Sequence, residues 1–198
     1  LGLPPRKPSA PSHPSERIET PVLVRHGAGI NKEVSAAGAA LAMGLIWLKS
    51  NDAVVANRLA LPLSTTELAT IRPDVQIQRV ISRNLVMWDS IEASSSWLES
   101  QLPPGALQVG KALLGPAAFR DLIAEKEESF QLLKSAYIAV IGGCCMSIGL
   151  RFSGTADSVA VGLLKQQFAG LSKLLKILPD RLDKSFVEMA LLQVVLAW

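Results

Sequence analysis

Two stretches of the chain put glycine and alanine where a helix ordinarily carries its largest apolar side chains: "GAALAMGLIWLKSND" at 38 to 52 and "GCCMSIGLRFSGTAD" at 143 to 157. Laid over one another without a gap, Gly38 meets Gly143 and Gly44 meets Gly149. Trp47 then meets Phe152, Ser50 meets Thr155, Asp52 meets Asp157, Val54 meets Val159 and Leu59 meets Leu164. Self-similarity of this kind constrains a fold more than any single segment does, because recurring units bury their apolar faces on one another. Positions 37, 40 and 44 correspond to 142, 145 and 149, and steps of three and four place them on one side of a helix. A neighbouring helix can approach so smooth a side closer than the usual distance of roughly 8 to 10 Å. Each interior glycine costs about 1 kcal/mol in helix propensity, a cost that close packing must offset. The pattern predicts inner helices of a layered array, each pressed against the equivalent helix of the next repeat. Gly38, Gly44, Gly142 and Gly149 are the expected close contacts, and Asp52 and Asp157 the turn and cap residues.

The remaining periodicity is helical. Val34 to Lys49 reads as the first helix, and Ser50, Asn51 and Asp52 offer a cap for a second over Ala53 to about Leu61, which Pro62 stops. Ser64 and Glu67 fit a capping box. Ile77, Val80, Ile81, Leu85, Trp88 and Ile91 recur at three- and four-residue steps in an amphipathic helix with Pro73 near its start. Pro103-Pro104-Gly105 and Gly115-Pro116 predict an irregular excursion over 103–118. Helix resumes by about Phe119, with Leu122, Ile123, Phe130 and Leu133 around "EKEE", and passes into the apolar run Ala136 to Leu150, with or without a break between them. Ser158 to about Ile177 is helical, Pro179 ends it, and 187 to 198 looks like the start of a further copy. A short β-prone run, Pro21 to Val24, stands alone, so the class is all-α. Residues 1–21 hold six of the twelve prolines (Pro4, Pro5, Pro8, Pro11, Pro14 and Pro21) and read as a disordered Pro/Ser-rich linker. A helical domain follows over 22–198, with copies at about 34–61 and 136–165 and a further one starting about 186.

With 49% hydrophobic residues, 19% charged and a mean hydropathy of +0.31, the chain is either a membrane protein or a piece whose apolar faces are covered by neighbours. Neither Val34–Leu48 nor Ala136–Leu150 reaches the roughly 20 apolar residues that a bilayer crossing needs, which favours buried helices and no membrane. The opening "LGLPPRKPSAPSHPSE" lacks an initiator Met and the apolar core of a signal peptide, and reads as the start of a cut piece. Net charge is +3, with basic residues too scattered for nucleic-acid binding. Arg72, Arg79 and Arg83 would share one helix side, a solvated face in the plain reading and a partner contact in the functional one, with Arg79 and Arg83 as the candidates.

Catalytic chemistry finds little footing. His13 and His26 stand apart from any Cys or carboxylate set with triad or metal spacing. Cys144 and Cys145 are adjacent, which rules against a disulfide between them on a helix and suits a reducing compartment. A thioester-forming role would need a nearby His, and in an apolar helix the thiols behave as small hydrophobes. "GINKE" and "GTADS" lack phosphate-loop spacing, so no cofactor or metal is expected. Trp47 and Trp88 fall on apolar stripes, whereas Trp97 in "SSSWLES" is the expected exposed partner contact.

"GAALAMGLIWLKSND" and "IGGCCMSIGLRFSGTADS" resemble the proteasome/cyclosome repeat, a helix-turn-helix unit with an Ala/Gly-rich first helix and a Gly-Thr-x-Asn/Asp turn. Over roughly 30 to 178, the order of "INKEVSAAGAALAMGLIWLKSND", "RPDVQIQRVISRNLVMWDSI", "WLESQLP" and "AYIAVIGGCCMSIGLRFSGTADS" is similar to the largest subunit family of the anaphase-promoting complex. The wide spacing between copies argues against the two large proteasomal regulatory-particle subunits, which bind ubiquitin-like domains and remain the rival. The resemblance implies an α-α superhelix closing into a ring, and a noncatalytic scaffold of a multisubunit ubiquitin ligase acting in cell division. It implies other ligase subunits as partners, a coactivator and a small receptor subunit near the ring, and residence in nucleus and cytoplasm.

Overall fold

The computed structural model describes residues 32–115, 127–178 and 181–198. Its helices are α1 (Lys32–Ile46), α2 (Ala53–Leu59), α3 (Thr65–Leu68), α4 (Pro73–Val86), a 3-10 turn (Trp88–Ser90), α5 (Ser95–Ser100), α6 (Pro104–Leu114), α7 (Glu127–Phe152), α8 (Ser158–Ile177) and α9 (Arg181–Ala197). No strand occurs among the described residues, and the class is all-α. The expected linker over 1–21, the run Pro21–Val24, both histidines and Phe119–Ile123 lie outside the described residues.

Local chemistry accounts for most boundaries. Ser64 Oγ accepts from Glu67 N–H at 3.4 Å and Ser94 Oγ from Trp97 N–H at 3.1 Å, closing the starts of α3 and α5. Pro73 and Pro104 occupy first helical positions, where a missing N–H leaves nothing unpaired and the fixed φ is already helical. That is why the excursion expected over 103–118 is instead helix α6 as far as Leu114. Its Ala106, Val109, Ala112 and Leu113 are buried at helical spacing. α7 runs unbroken from Glu127 to Phe152, settling the question of a break over those residues. Its segment Ser129–Phe152 is long and apolar enough to cross a membrane, longer than the run counted in the sequence, and most of it is buried inside the protein.

Four helices form a row: α1 packs on α4, α4 on α7, and α7 on α9, while α2 flanks α4, α6 and α8 flank α7, and α8 also touches α9. The two glycine-rich helices were expected to press on each other. Instead α4 lies between them. α4 supplies no glycine, and its small contact residue is Ser82, wholly buried. The main core gathers Leu68, Trp97, Leu98, Ala106, Val140, Cys144, Ile148, Leu164, Leu174 and Val194 around α7.

Candidate interface at the inner helices and their turns

The close contacts are real at three of the four predicted glycines. A Cβ placed on Gly44 would sit 2.7 Å from Ser82 Cα and 3.0 Å from Ser82 O, and one on Gly142 would sit 3.0 Å from Ala190 Cα. A Cβ on Gly149 would overlap the backbone of Ala197. Gly143, a close contact that the repeat spacing does not predict, faces the opposite way, with Val80 Cβ at 2.9 Å and Ile77 O at 3.1 Å from a would-be Cβ. α7 is therefore bare on two sides, toward α4 through Gly143 and toward α9 through Gly142 and Gly149. Gly38 is a correction: it is exposed, and among the described residues nothing lies within 4 Å of its would-be Cβ. It aligns with Gly143, whose side holds α4, and no described residue packs on Gly38 at the matching place on α1.

The α4–α7 contact also carries a buried polar chain invisible to pattern reading. Asn84 Nδ2 donates to Ser147 Oγ at 3.1 Å, and Ser147 Oγ donates to Gly143 O at 2.8 Å. Asn84 and Ser147 are nearly fully buried, so this pairing fixes the register of α4 on α7. A polar residue amid an apolar stripe was the only available signal.

The turns after α1 and α7 are built alike. Asp52 Oδ1 accepts from Val54 and Val55 N–H at 2.8 and 3.1 Å; Asp157 Oδ1 accepts from Val159 and Ala160 N–H at 2.8 and 2.9 Å. Ser50 Oγ and Thr155 Oγ1 each accept the amide of the capping aspartate at 3.3 Å. Both aspartates thus do the cap duty their spacing implied. Asp52→Ala or Asp157→Ala is expected to cost about 1 kcal/mol each, measured by chemical denaturation.

The predicted partner contacts are used internally. Arg79 donates to the carbonyls of Leu59 (3.1 Å), Arg58 (3.0 Å) and Ala60 (2.7 Å), closing the C-terminus of α2, and burial pulls its guanidinium below its ordinary pKa. Arg83 Nη1 donates to Gln101 Oε1 at 2.6 Å, tying α4 to the end of α5. Arg72 pairs with Asp74 at 2.5 Å, holding that carboxyl below its usual range through the side-chain hydrogen bond. Arg79 and Arg83 are clamps between elements, whereas Arg72 is exposed and its pair with Asp74 lies within the start of α4. Arg79→Ala leaves the last carbonyls of α2 without their donor and is expected to cost about 2 kcal/mol; a thermal melt with Arg79→Lys, which restores part of the loss, checks it.

Trp97 and Trp47 reverse their expected roles, while Trp88 packs against the core as its stripe implied. Trp97 is 7% exposed in the main core and is no surface contact, while Trp47 is 43% exposed. Trp88 is half-buried, with Lys49 Nζ 4.6 Å and the Arg151 guanidinium 5.7 Å from its ring, a cation from each of the two turn edges.

Cys144 and Cys145 are fully buried. Burial pushes the Cys144 thiol up to about 12, opposed by the Asn84 amide, and raises Cys145 further. Neither is expected to react with iodoacetamide at pH 8 in the native protein, and both react on unfolding; mass spectrometry of the alkylated protein reads this directly. Among the described residues no group of three or more His, Cys, Asp or Glu is placed to hold a metal.

Helices in a row, meeting through bare backbone and joined by matching capped turns, define the chain as an all-α layered helical protein. The family described as "APC1 fifth domain" matches residues 6–198, and the chain belongs to that family. Among relatives, it is 36% identical over 142 residues to "Anaphase-promoting complex subunit 1" of Arabidopsis thaliana, covering 71% of this chain and 8% of that protein. It is 29% identical over 141 residues to the Homo sapiens protein of that name, covering 71% and 7%. It is 30% identical over 141 residues to the "Negative regulator of mitosis" of Emericella nidulans, covering 70% and 6%. The chain thus corresponds to under a tenth of the length of these three relatives.

Proposed function

We propose that the chain is a scaffold segment of an anaphase-promoting complex, a multisubunit ubiquitin ligase of cell division, and that it performs no ubiquitin transfer itself. The family match over nearly the whole chain carries the reading. The relatives described above bear anaphase-promoting complex and mitosis names, and none of them is a proteasomal subunit. The packing agrees with it. Inner helices locked by glycine contacts and polar clamps make a stiff element suited to holding other subunits at set distances, and the buried high-pKa thiols are poor nucleophiles. On this reading the row belongs to a curved array of proteasome/cyclosome repeats. The coactivator and a small receptor subunit dock near it, and the protein works in nucleus and cytoplasm.

Affinity purification of the full-length protein tests the scaffold role: the other ligase subunits are expected to co-purify in fixed ratio, and their absence sinks it. A Cys144→Ser/Cys145→Ser double variant is expected to leave ubiquitin transfer by the purified complex unchanged. Loss of transfer with the complex intact would end the noncatalytic reading. Fluorescence imaging of the tagged protein through the cell cycle checks the location.

A further inference from the structure

The two matching turns differ in occupancy: among the described residues only the first is filled. Lys49 and Asn51 sit in left-handed backbone (φ 58 and 53) and donate their N–H groups to Leu85 O and Val86 O at 2.9 Å each. These are carbonyls that the end of α4 leaves without a helical partner. The Val86 side chain, wholly buried, fills the space between α1 and α2 against Ala40, Val55, Ala56 and Leu59, with Met43 beside them.

In the second turn Gly154 and Ala156 hold the same two places, with φ 75 and 54. Thr155 N–H bonds Phe152 O at 3.1 Å as Ser50 N–H bonds Trp47 O at 3.1 Å. Yet among the described residues no acceptor meets the amides of Gly154 and Ala156. Where Val86 would stand there is a cavity of about 370 Å³, lined by Ile148, Ala160 and Leu164 and bordered by Leu196, Ala197 and Trp198. Ile148, Ala160 and Leu164 align with Met43, Val55 and Leu59, the surface that Val86 covers in the first unit.

α9 approaches α7 as α4 approaches α1, with Ala197 against Gly149 where Ser82 lies against Gly44. Three and four residues on from Ser82 are Leu85 and Val86; the same count from Ala197 runs just past Trp198. We propose that this socket receives a helix end prolonging α9 by one turn in the longer protein. Two successive backbone carbonyls accept from Gly154 and Ala156, and an aliphatic side chain of Val86 type fills the cavity. The match between an empty site and a filled one within one chain, continuous with the α7–α9 contact, selects this occupant over a helix end from another subunit. The inference rests on the two turns and not on the ligase reading, so co-purification and this test fail separately.

Amide hydrogen exchange on the isolated full-length protein decides it. Gly154 and Ala156 are expected to exchange as slowly as Lys49 and Asn51, roughly 100-fold slower than a free turn amide. Val161→Trp, which fills the cavity, is expected to release Gly154 and Ala156 while leaving Lys49 and Asn51 protected. Two prolines inserted directly after Trp198, which break the prolonged helix, are expected to do the same. Fast exchange at Gly154 and Ala156 in the unaltered protein overturns the proposal. So does protection that survives the proline insertion, which would give the socket to some other segment.

Discussion

Gly44→Leu is expected to destabilise the protein by about 3 kcal/mol, at the upper end of the range for overfilling a packed contact. The reason is the identity of the obstructing atoms: Ser82 Cα and O belong to the backbone of α4 and cannot rotate away as a side chain end would. α4 in turn is held on its far side by Gly143 and the Asn84–Ser147 pair, so the strain cannot be relieved by sliding the helix. Gly149→Leu acts in the same direction on the α7–α9 contact. Gly38→Ala supplies the contrast. With no described residue within 4 Å of its would-be Cβ, removing a mid-helix glycine is expected to gain about 1 kcal/mol. Chemical denaturation of the three variants reads the signs directly, and equal losses at Gly38 and Gly44 would defeat the account of close packing.

Trp97→Ala should cost about 4 kcal/mol, in the range for deleting a large aromatic from a core. Trp97 is a buried member of the main core cluster, and its loss opens a hole that rigid helices cannot close. Had Trp97 been a surface anchor, the same change would leave the melting temperature in place and weaken only subunit binding. A large drop in thermal stability of the chain alone distinguishes the two. Trp47→Ala, at a 43% exposed position, is expected to change stability by well under half of that loss.

The reading of Trp97 shows where sequence pattern runs out. "SSSWLES" carries a capping serine and too few residues to display a period, so its pattern is that of a connection with an exposed tryptophan. α6 was hidden for a related reason: Pro103-Pro104-Gly105 looks like a break, although proline at a helix start does no harm. Arg79 and Arg83 share a helix side as counted, but the carbonyls and the amide that engage them come from α2 and α5, elements about twenty residues away in sequence.

What the sequence determined by itself is what short-range chemistry decides: the helical periods, the aspartate caps after two matching turns, the bareness of one helix side, and the family those residues signal. Which surface each bare side would meet was left to the tertiary structure. Gly44 faces Ser82, Gly142 and Gly149 face α9, Gly143 faces α4, and Gly38 faces nothing among the described residues. A glycine announces only that something can come close. What comes close depends on how distant segments stack, and a stacking partner such as α4 needs only a small residue at one point, for which a single serine in an ordinary amphipathic helix suffices.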